Sequence, residues 1–438
     1  MKICATGDLM LLEKFPKSYQ YQKIKDVIDG CDVKITNLES VISNFDCFAS
    51  TFCGGQWINS TPEVFDDALK FGFNLFGCAN NHSMDYSFDG LLSTYQELSK
   101  RKLSFAGIGK TLDESSNPAI LNLKNTKIAF ISVTSTFVDS ARAGNSKDPI
   151  PARPGVNPLR VKTKYIVTQK HFDELQEIAK NTYLNGERDN ARKIGSLPKE
   201  EKNSLNFGGQ FFVVGKNEGK STCCDDRDLY RILKEIKKAK EECDYCLVSV
   251  HSHQIKKTSY TEPDYFLEEF AHACIDAGAN AIIGSGTHQL KPIEIYQERP
   301  IFYSLGNFIF ESGKVKHLPA DFWDKYRFDQ SLSMKDALNI KTKNGTIGLE
   351  TDKNNYLSVL PIMEFKDGTL TKLDLLPISL SFEEKTLKGL PVPANLDDAE
   401  TIYHKLRAIS QPYNTQFSMN NNQINVKLIN ERSNYGSR

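Results

Sequence analysis

Five short apolar runs in this chain each stop abruptly at residues that carry chemistry, and that repetition constrains the fold more than any other property of the sequence. The run Phe73-Asn74-Leu75-Phe76-Gly77-Cys78-Ala79 ends on Asn80, Asn81, His82 and Asp85, after which Ser87 to Lys102 has helical character. Ile3 to Gly7 ends on Asp8, Val33 to Leu38 on Glu39, Leu247 to Val250 on His251 and His253, and Ala281 to Gly284 leads to His288. Strand, polar loop, helix is the arrangement that sets reactive groups at the carboxyl edge of an α/β sheet. The five ends are therefore expected to converge on one site. Hard oxygen donors mixed with imidazoles suit Mn, Fe or Zn ions, whereas a structural zinc site would be richer in thiolates. A dinuclear metal centre is the expectation.

A chain of 438 residues can bury a substantial core. Lys plus Arg and Asp plus Glu both number 55, so no net field draws the protein to nucleic acid or an anionic membrane. A small anionic substrate stays open, because a metal site brings its own positive charge. No uninterrupted apolar stretch reaches the roughly 18 to 20 residues of a spanning helix, and Asp8 interrupts any leader-like apolar segment at the start. The expected location is cytoplasmic, without a membrane partner. Ten cysteines scattered through a large chain read as free thiols. Cys243-x-x-Cys246 lacks a matching second pair and reads as packing at a strand entry, and Cys223-Cys224 as inert.

Along residues 1 to 135 strand and helix signals alternate, which predicts a parallel or mixed sheet covered by helices. Tyr19 to Ile28 reads as a helix, Thr61-Pro62-Glu63 as a capped helix start, and Lys127 to Ser135 as a strand. The Gly-rich loop Thr51 to Trp57 is either a surface turn or the rim of a substrate pocket. From 141 to 206 the pattern weakens, and this segment is expected to be an irregular insertion, mobile over Asn181 to Ser204. Order returns with Phe211 to Val214 and a helix over Asp226 to Glu241. A second helix follows Glu262-Pro263, with Phe266, Phe270 and Cys274 facing the core and His272 opposite them, exposed and uninvolved. Hairpins are expected around Gln297 to Arg299 and across Asp367-Gly368, and a late helix over Asp397 to Ser410. The whole is read as one domain over 1–430 with a frayed tail from Glu431.

Together these motifs resemble the CapA family of poly-γ-glutamate capsule synthesis proteins, a branch of the calcineurin-like metallophosphoesterases. The resemblance is carried by Gly7-Asp8-Leu9-Met10, Asn37-Leu38-Glu39, Ala79-Asn80-Asn81-His82 with Asp85, Arg153-Pro154-Gly155-Val156-Asn157-Pro158-Leu159-Arg160, and Pro292-Ile293-Glu294 through Gly306-Asn307-Phe308. It implies a four-layer α/β/β/α sandwich with two divalent ions at the strand ends. It further implies Asp8, Glu39, Asn81, His251 and His288 as metal ligands, with His82 facing substrate. Relatives read Gly-x-His-Pro-His where this chain has Gly286 and Thr287 before His288; His253 is the residue that could supply the missing donor.

In the reaction so implied, Glu39 bridges, Asp8 and His288 hold one ion, and Asn81 with His251 the other. His82, Asp85 and His253 are the catalytic candidates, with Asp85 either orienting His82 or capping the next helix. Arg153 and Arg160 could clamp a phosphate or carboxylate or be solvated loop residues, and Asn307 is a further candidate contact to substrate. The expected activity is hydrolysis of phosphate esters. The alternatives are hydrolysis or transfer on γ-glutamyl amides, which would make a glutamyl-containing molecule the partner, or ligand binding without catalysis.

Overall fold

Two sheets lie face to face because each is apolar on both sides, and the chain buries all four faces by adding helices outside. In the computed structural model, which describes residues 1–199 and 203–428, the first sheet runs parallel through Lys2–Met10, Val33–Leu38, Leu75–Gly77 and Ser104–Ala106. It continues antiparallel from Lys2–Met10 through Leu357–Lys366 and Thr369–Ser379. The second sheet centres on the parallel strands Thr126–Thr134, Tyr245–Ser252, Ala281–Gly286 and Arg299–Phe302. Between the sheets one core joins Ile3, Ala5 and Ile35 to Phe130, Leu247 and Ile283. Outside the first sheet Ile24, Phe65, Leu91 and Leu98 form a helix-covered core, and outside the second Ile232, Ile236, Phe266 and Phe270 form another. The result is the α/β/β/α sandwich.

Local signals account for the element boundaries. Thr61 caps the helix Pro62–Leu69, accepting from the Val64 amide at 3.4 Å, with Pro62 in its first turn. Asp225 caps Asp226–Glu242, and Asn395 caps Leu396–Ser410, each side-chain acceptor worth about 1 kcal/mol. Asp367 and Gly368 both take positive φ, 50° and 78°, the geometry that a two-residue hairpin joining Leu357–Lys366 to Thr369–Ser379 requires. The other hairpin turns on Gln297 and Glu298, with φ of 48° and 60°. The first helix begins at Gln22, later than Tyr19, because Tyr19 turns inward and donates from its hydroxyl to Pro391 O at 2.7 Å.

The segment expected to be irregular is ordered over most of its described length. Val161–Val167, Ser204–Phe207, Gln210–Val214 and Gly219–Cys224 form a separate four-stranded sheet, accompanied by the helices Gln169–Asn181 and Gly186–Lys193. Its longest strand, Val161–Val167, sets Lys162 and Lys164 in solvent between half-buried neighbours, so over that strand the hydrophobic run that marks the main sheets is missing. The tail expected to fray from Glu431 lies outside the described residues. All ten cysteines are free, and no described helix is long and apolar enough to cross a membrane.

Candidate metal centre

Strand register, more than loop shape, assembles the polar ends. Asp8 pairs across the first sheet with Asn37 on one side and Asn307 on the other. In the second sheet His251 pairs with Ser285 and with Thr134, and Ser252 with Gly286. The two sheets bring these carboxyl ends together, and Asp8, Glu39, His82, Asp85, His251 and His288 are all buried there.

Two groups of donors result among the described residues, and Glu39 belongs to both. Asp8, Glu39 and His251 form one, and Glu39, His253 and His288 the other. Within the first, His251 Nδ1 stands 3.5 Å from Asp8 Oδ1 and His251 Nε2 3.5 Å from Glu39 Oε1. Within the second, the rings of His253 and His288 lie 5.3 Å apart, and the His251 ring is 5.1 Å from that of His253. The residues expected to share ions do lie together, His288 Nδ1 3.9 Å from Asp8 Oδ2 and His251 Nε2 2.6 Å from Asn81 Oδ1, and the strand end that carries His251 also brings His253 beside His288.

The residues fit a cation on a test that needs no ion in view. Both Glu39 carboxylate oxygens and His253 Nε2 are buried without a hydrogen-bond partner among the described residues. Leaving such atoms uncompensated costs about 1 to 3 kcal/mol each, more for a charge, unless something electropositive completes them. Burial, reinforced by the negative charges of Asp8 and Asp85, pushes the Glu39 carboxyl well above its usual range. Burial likewise holds His253 well below the ordinary imidazole range, with His251, His288, His82 and Lys291 acting in the same sense. His288 is also lowered by burial, partly offset by Asp8. Neutral imidazoles beside a carboxylate are the donor forms a divalent metal takes. Asp8 is lowered overall: burial opposes ionisation, but the nearby His251 and His288 outweigh it.

Around these donors a ring of amides and hydroxyls sets orientation. Asn37 donates to Asp8 Oδ1 at 2.7 Å and lies 3.3 Å from His251 Nδ1, which also meets Ser285 Oγ at 3.0 Å. Asn81 Oδ1 meets His251 Nε2 at 2.6 Å, and its amide nitrogen donates to Gly54 O at 2.9 Å. Asn307 was read as a substrate contact, yet it is wholly buried: its Oδ1 meets His288 Nδ1 at 2.9 Å and its amide donates to Asn355 O at 2.8 Å. It orients a ligand candidate and has no surface for substrate. The signal for Asn37 and Ser285, which the strand-end pattern does not pick out, is a polar side chain inside a buried strand.

His82 and Asp85 form a second working unit. His82 Nδ1 lies 2.6 Å from Asp85 Oδ2, which also accepts from the Ile58 amide at 2.8 Å, while Asp85 Oδ1 accepts from the Gly54 amide at 3.0 Å. These bonds run to His82 and to the 54–58 loop, so Asp85 orients the imidazole and does not cap the following helix.

Gly286 explains the departure from the expected His-x-His pattern. Its φ is +124°, and a Cβ built there would stand 2.5 Å from Ser252 O, so this backbone has no room for an imidazole. Its amide instead donates to Asp8 Oδ2 at 3.1 Å. The two arginines are engaged elsewhere. Arg160 forks onto Asp228 at 2.7 and 2.9 Å, and exposed Arg153 donates to Arg142 O at 2.9 Å. A free bidentate clamp is therefore absent at Arg160. His272 is not the idle surface residue that helix phase suggested: it meets both Glu294 oxygens at 3.0 Å and stacks on Tyr296 at 4.1 Å, because a neighbouring strand reaches it.

Over the centre opens a cavity of about 360 Å³ whose wall includes Asn81, His253, Phe52, Gly54 and Phe137. The Gly-rich loop is therefore a cavity wall and not a plain turn.

Comparison with known proteins matches residues 2–312 to the family described as bacterial capsule synthesis protein PGA_cap. Over 429 residues the chain is 30% identical to uncharacterized protein y4sH of Sinorhizobium fredii (strain NBRC 101917 / NGR234), covering 95% of this chain and 90% of that one. Capsule biosynthesis protein CapA of Bacillus anthracis is 22% identical over 322 residues, 72% of this chain and 60% of its own. PGA biosynthesis protein CapA of Bacillus subtilis (strain 168) is 23% identical over 241 residues, 55% of this chain and 43% of its own.

Proposed function

The chain belongs to the bacterial capsule synthesis protein family PGA_cap, and from that premise we propose that it is a metal-dependent hydrolase of phosphate esters in which Glu39 is shared by two cations. The observation that carries this reading is the set of buried, unpartnered donor atoms, both Glu39 oxygens and His253 Nε2, where two donor groups meet. Asp8 and His251, with Asn81 beside them, would hold one ion of Mn, Fe or Zn; His253 and His288 would hold the other. Such ions, when bound, supply Lewis acidity and a water acidic enough to attack at neutral pH.

The chain's own residues supply the rest. Asp85 fixes the His82 ring through Nδ1, leaving Nε2 as the nitrogen that exchanges a proton with the leaving group, a contribution of ~10² to 10⁴-fold. Asn37, Ser285 and Asn307 hold the ligand imidazoles in their rotamers, so little reorganisation precedes reaction. The cavity above the centre, with Asn81 and His253 in its wall, would receive the reacting group.

A second reading, hydrolysis or transfer on γ-glutamyl amides, is favoured by the names of the two Bacillus relatives. One experiment separates the two. Protein supplied with Mn is assayed against phosphomonoesters, phosphodiesters and poly-γ-glutamate, alongside metal analysis. Turnover of a phosphate ester with two metal equivalents per chain is the expected result. Glutamate release alone would install the second reading, and bound metal without turnover of any substrate would overturn both.

A further inference from the structure

Resting on the hydrolase reading, we infer that the portion of the substrate beyond its reactive head is uncharged and apolar, an aryl or alkyl group and not a chain of carboxylates. The argument starts from what the cavity wall lacks. Thirteen residues line it, from both sides of the cleft, and none is Lys, Arg, Asp or Glu. Phe52, Met84, Phe137 and Val138 supply the apolar share, and the hydroxyls of Ser50, Thr136 and Ser140 supply neutral hydrogen-bonding groups.

A carboxylate-rich chain entering such a space would leave water without an ionic partner, at a cost that rises with each charge. Recognition of repeated carboxylates calls for guanidinium forks or ammonium groups along the path. Basic side chains of the flanking segments have other partners, Arg142 among them, which meets Asp139 at 3.2 Å. Arg160 serves Asp228, and Lys325 meets the loop from outside, donating to Gly55 O at 2.8 Å and lying over the Trp57 ring at 5.8 Å. An apolar group gains from the same wall, because a concave, mainly apolar pocket of this size is the usual receiver of such a moiety.

The wall is also tied to the chemistry. Gly54 donates to Asp85 Oδ1 at 3.0 Å and accepts from Asn81 at 2.9 Å, and the Ser50 amide donates to Asp85 O at 2.8 Å. Asp85 is the group that orients His82. An apolar substituent packed against Phe52 would therefore press on the segment that fixes the proton-exchanging imidazole, so binding there bears on turnover as well as affinity.

The test uses calorimetry on the Mn-supplied full chain with three non-hydrolysable probes: phenylphosphonate, 4-carboxyphenylphosphonate and methylphosphonate. Phenylphosphonate is expected to bind roughly tenfold tighter than either of the others. Phe137→Ser should erase that advantage without changing bound metal. Phe52→Ser, at a residue 64% exposed and so of little weight for folding, repeats the test at the opposite wall. Equal binding of the three probes, preference for the carboxylated one, or no binding of any would overturn the inference. A phenyl preference in protein that turns over no phosphate ester would support it while counting against the hydrolase reading alone.

Discussion

The two donor groups that meet on Glu39 are built on different terms. Around Asp8 and His251 every donor is already engaged: Asp8 takes the Asn37 amide at 2.7 Å and the Gly286 amide at 3.1 Å, and His251 has Ser285 on one nitrogen and Asn81 on the other. Around His253 and His288 the balance is open at His253 Nε2, which lacks a hydrogen-bond partner among the described residues, as do both oxygens of the Glu39 that the two groups share. The first half is a polar network that keeps its shape by itself; the second carries a desolvation cost that only a cation relieves. The contrast teaches that ligand number alone does not rank two metal positions. The one with fewer hydrogen bonds has more to gain from its ion.

Removing the shared carboxylate breaks both halves at once, and this is the largest effect expected. Glu39→Ala should drop bound metal from two equivalents to none, and with it the stabilisation that excess metal confers, about 2.7 kcal/mol per site at 100 times the dissociation constant. His253→Ala should remove one equivalent and spare the other. Elemental analysis with thermal melts in Mn and in chelator reads both variants. Loss of both ions in His253→Ala would show that the halves are not separable, and retention of both would remove His253 from the ligand set.

A smaller effect comes from attempting to rebuild the imidazole that the family resemblance leads one to expect. Gly286→His forces a side chain onto a backbone at φ +124° and against Ser252 O, and should cost roughly 4 kcal/mol in urea unfolding. It should add no metal, because His253 already stands on that side. Gain of metal affinity without loss of stability would mean that the backbone at 286 relaxes, and the contrast between the halves would soften accordingly.

How far these features were legible in the chain depended on whether their cause was local. Asp8, Glu39, His251 and His288 announced themselves because each ends a run of apolar residues, and a strand end is a local property. The contacts that orient the donors were not legible, since they are set by register between strands far apart in sequence, His251 opposite Ser285 and Asp8 opposite Asn307. His272 shows the same limit: its helix phase was read correctly, but Glu294 arrives from another strand. Arg160 looked like a free clamp until Asp228 came within 2.7 Å of it. The sheet over Val161–Val167 and its partners stayed hidden because its alternation of lysines with half-buried residues resembles a solvated loop.

The last asymmetry is a cation lodged behind the open half. Lys291 is 1% exposed, donating to Gln254 O at 3.2 Å beside His253, and burial brings it from 10.5 down to about 8, with Asp264 only partly opposing. Asp264 is itself engaged by Lys220 at 2.7 Å, so among the described residues Lys291 has no counter-ion of its own. The unfolded chain keeps this proton up to about pH 10.5 and the folded chain releases it near 8, so between those values the unfolded state binds more protons and stability rises with pH. Below pH 8 both states are charged and the full cost, about 3 kcal/mol, is carried by the fold. Lys291→Met, close in volume and without charge, should therefore exceed the native chain in stability most clearly at pH 7, with the gap narrowing steadily by pH 9.5 in parallel urea titrations of metal-free protein. A gap that stays constant with pH would show that the ammonium is neutralised by a nearer acceptor, and the open half would then owe its cost to Glu39 and His253 alone.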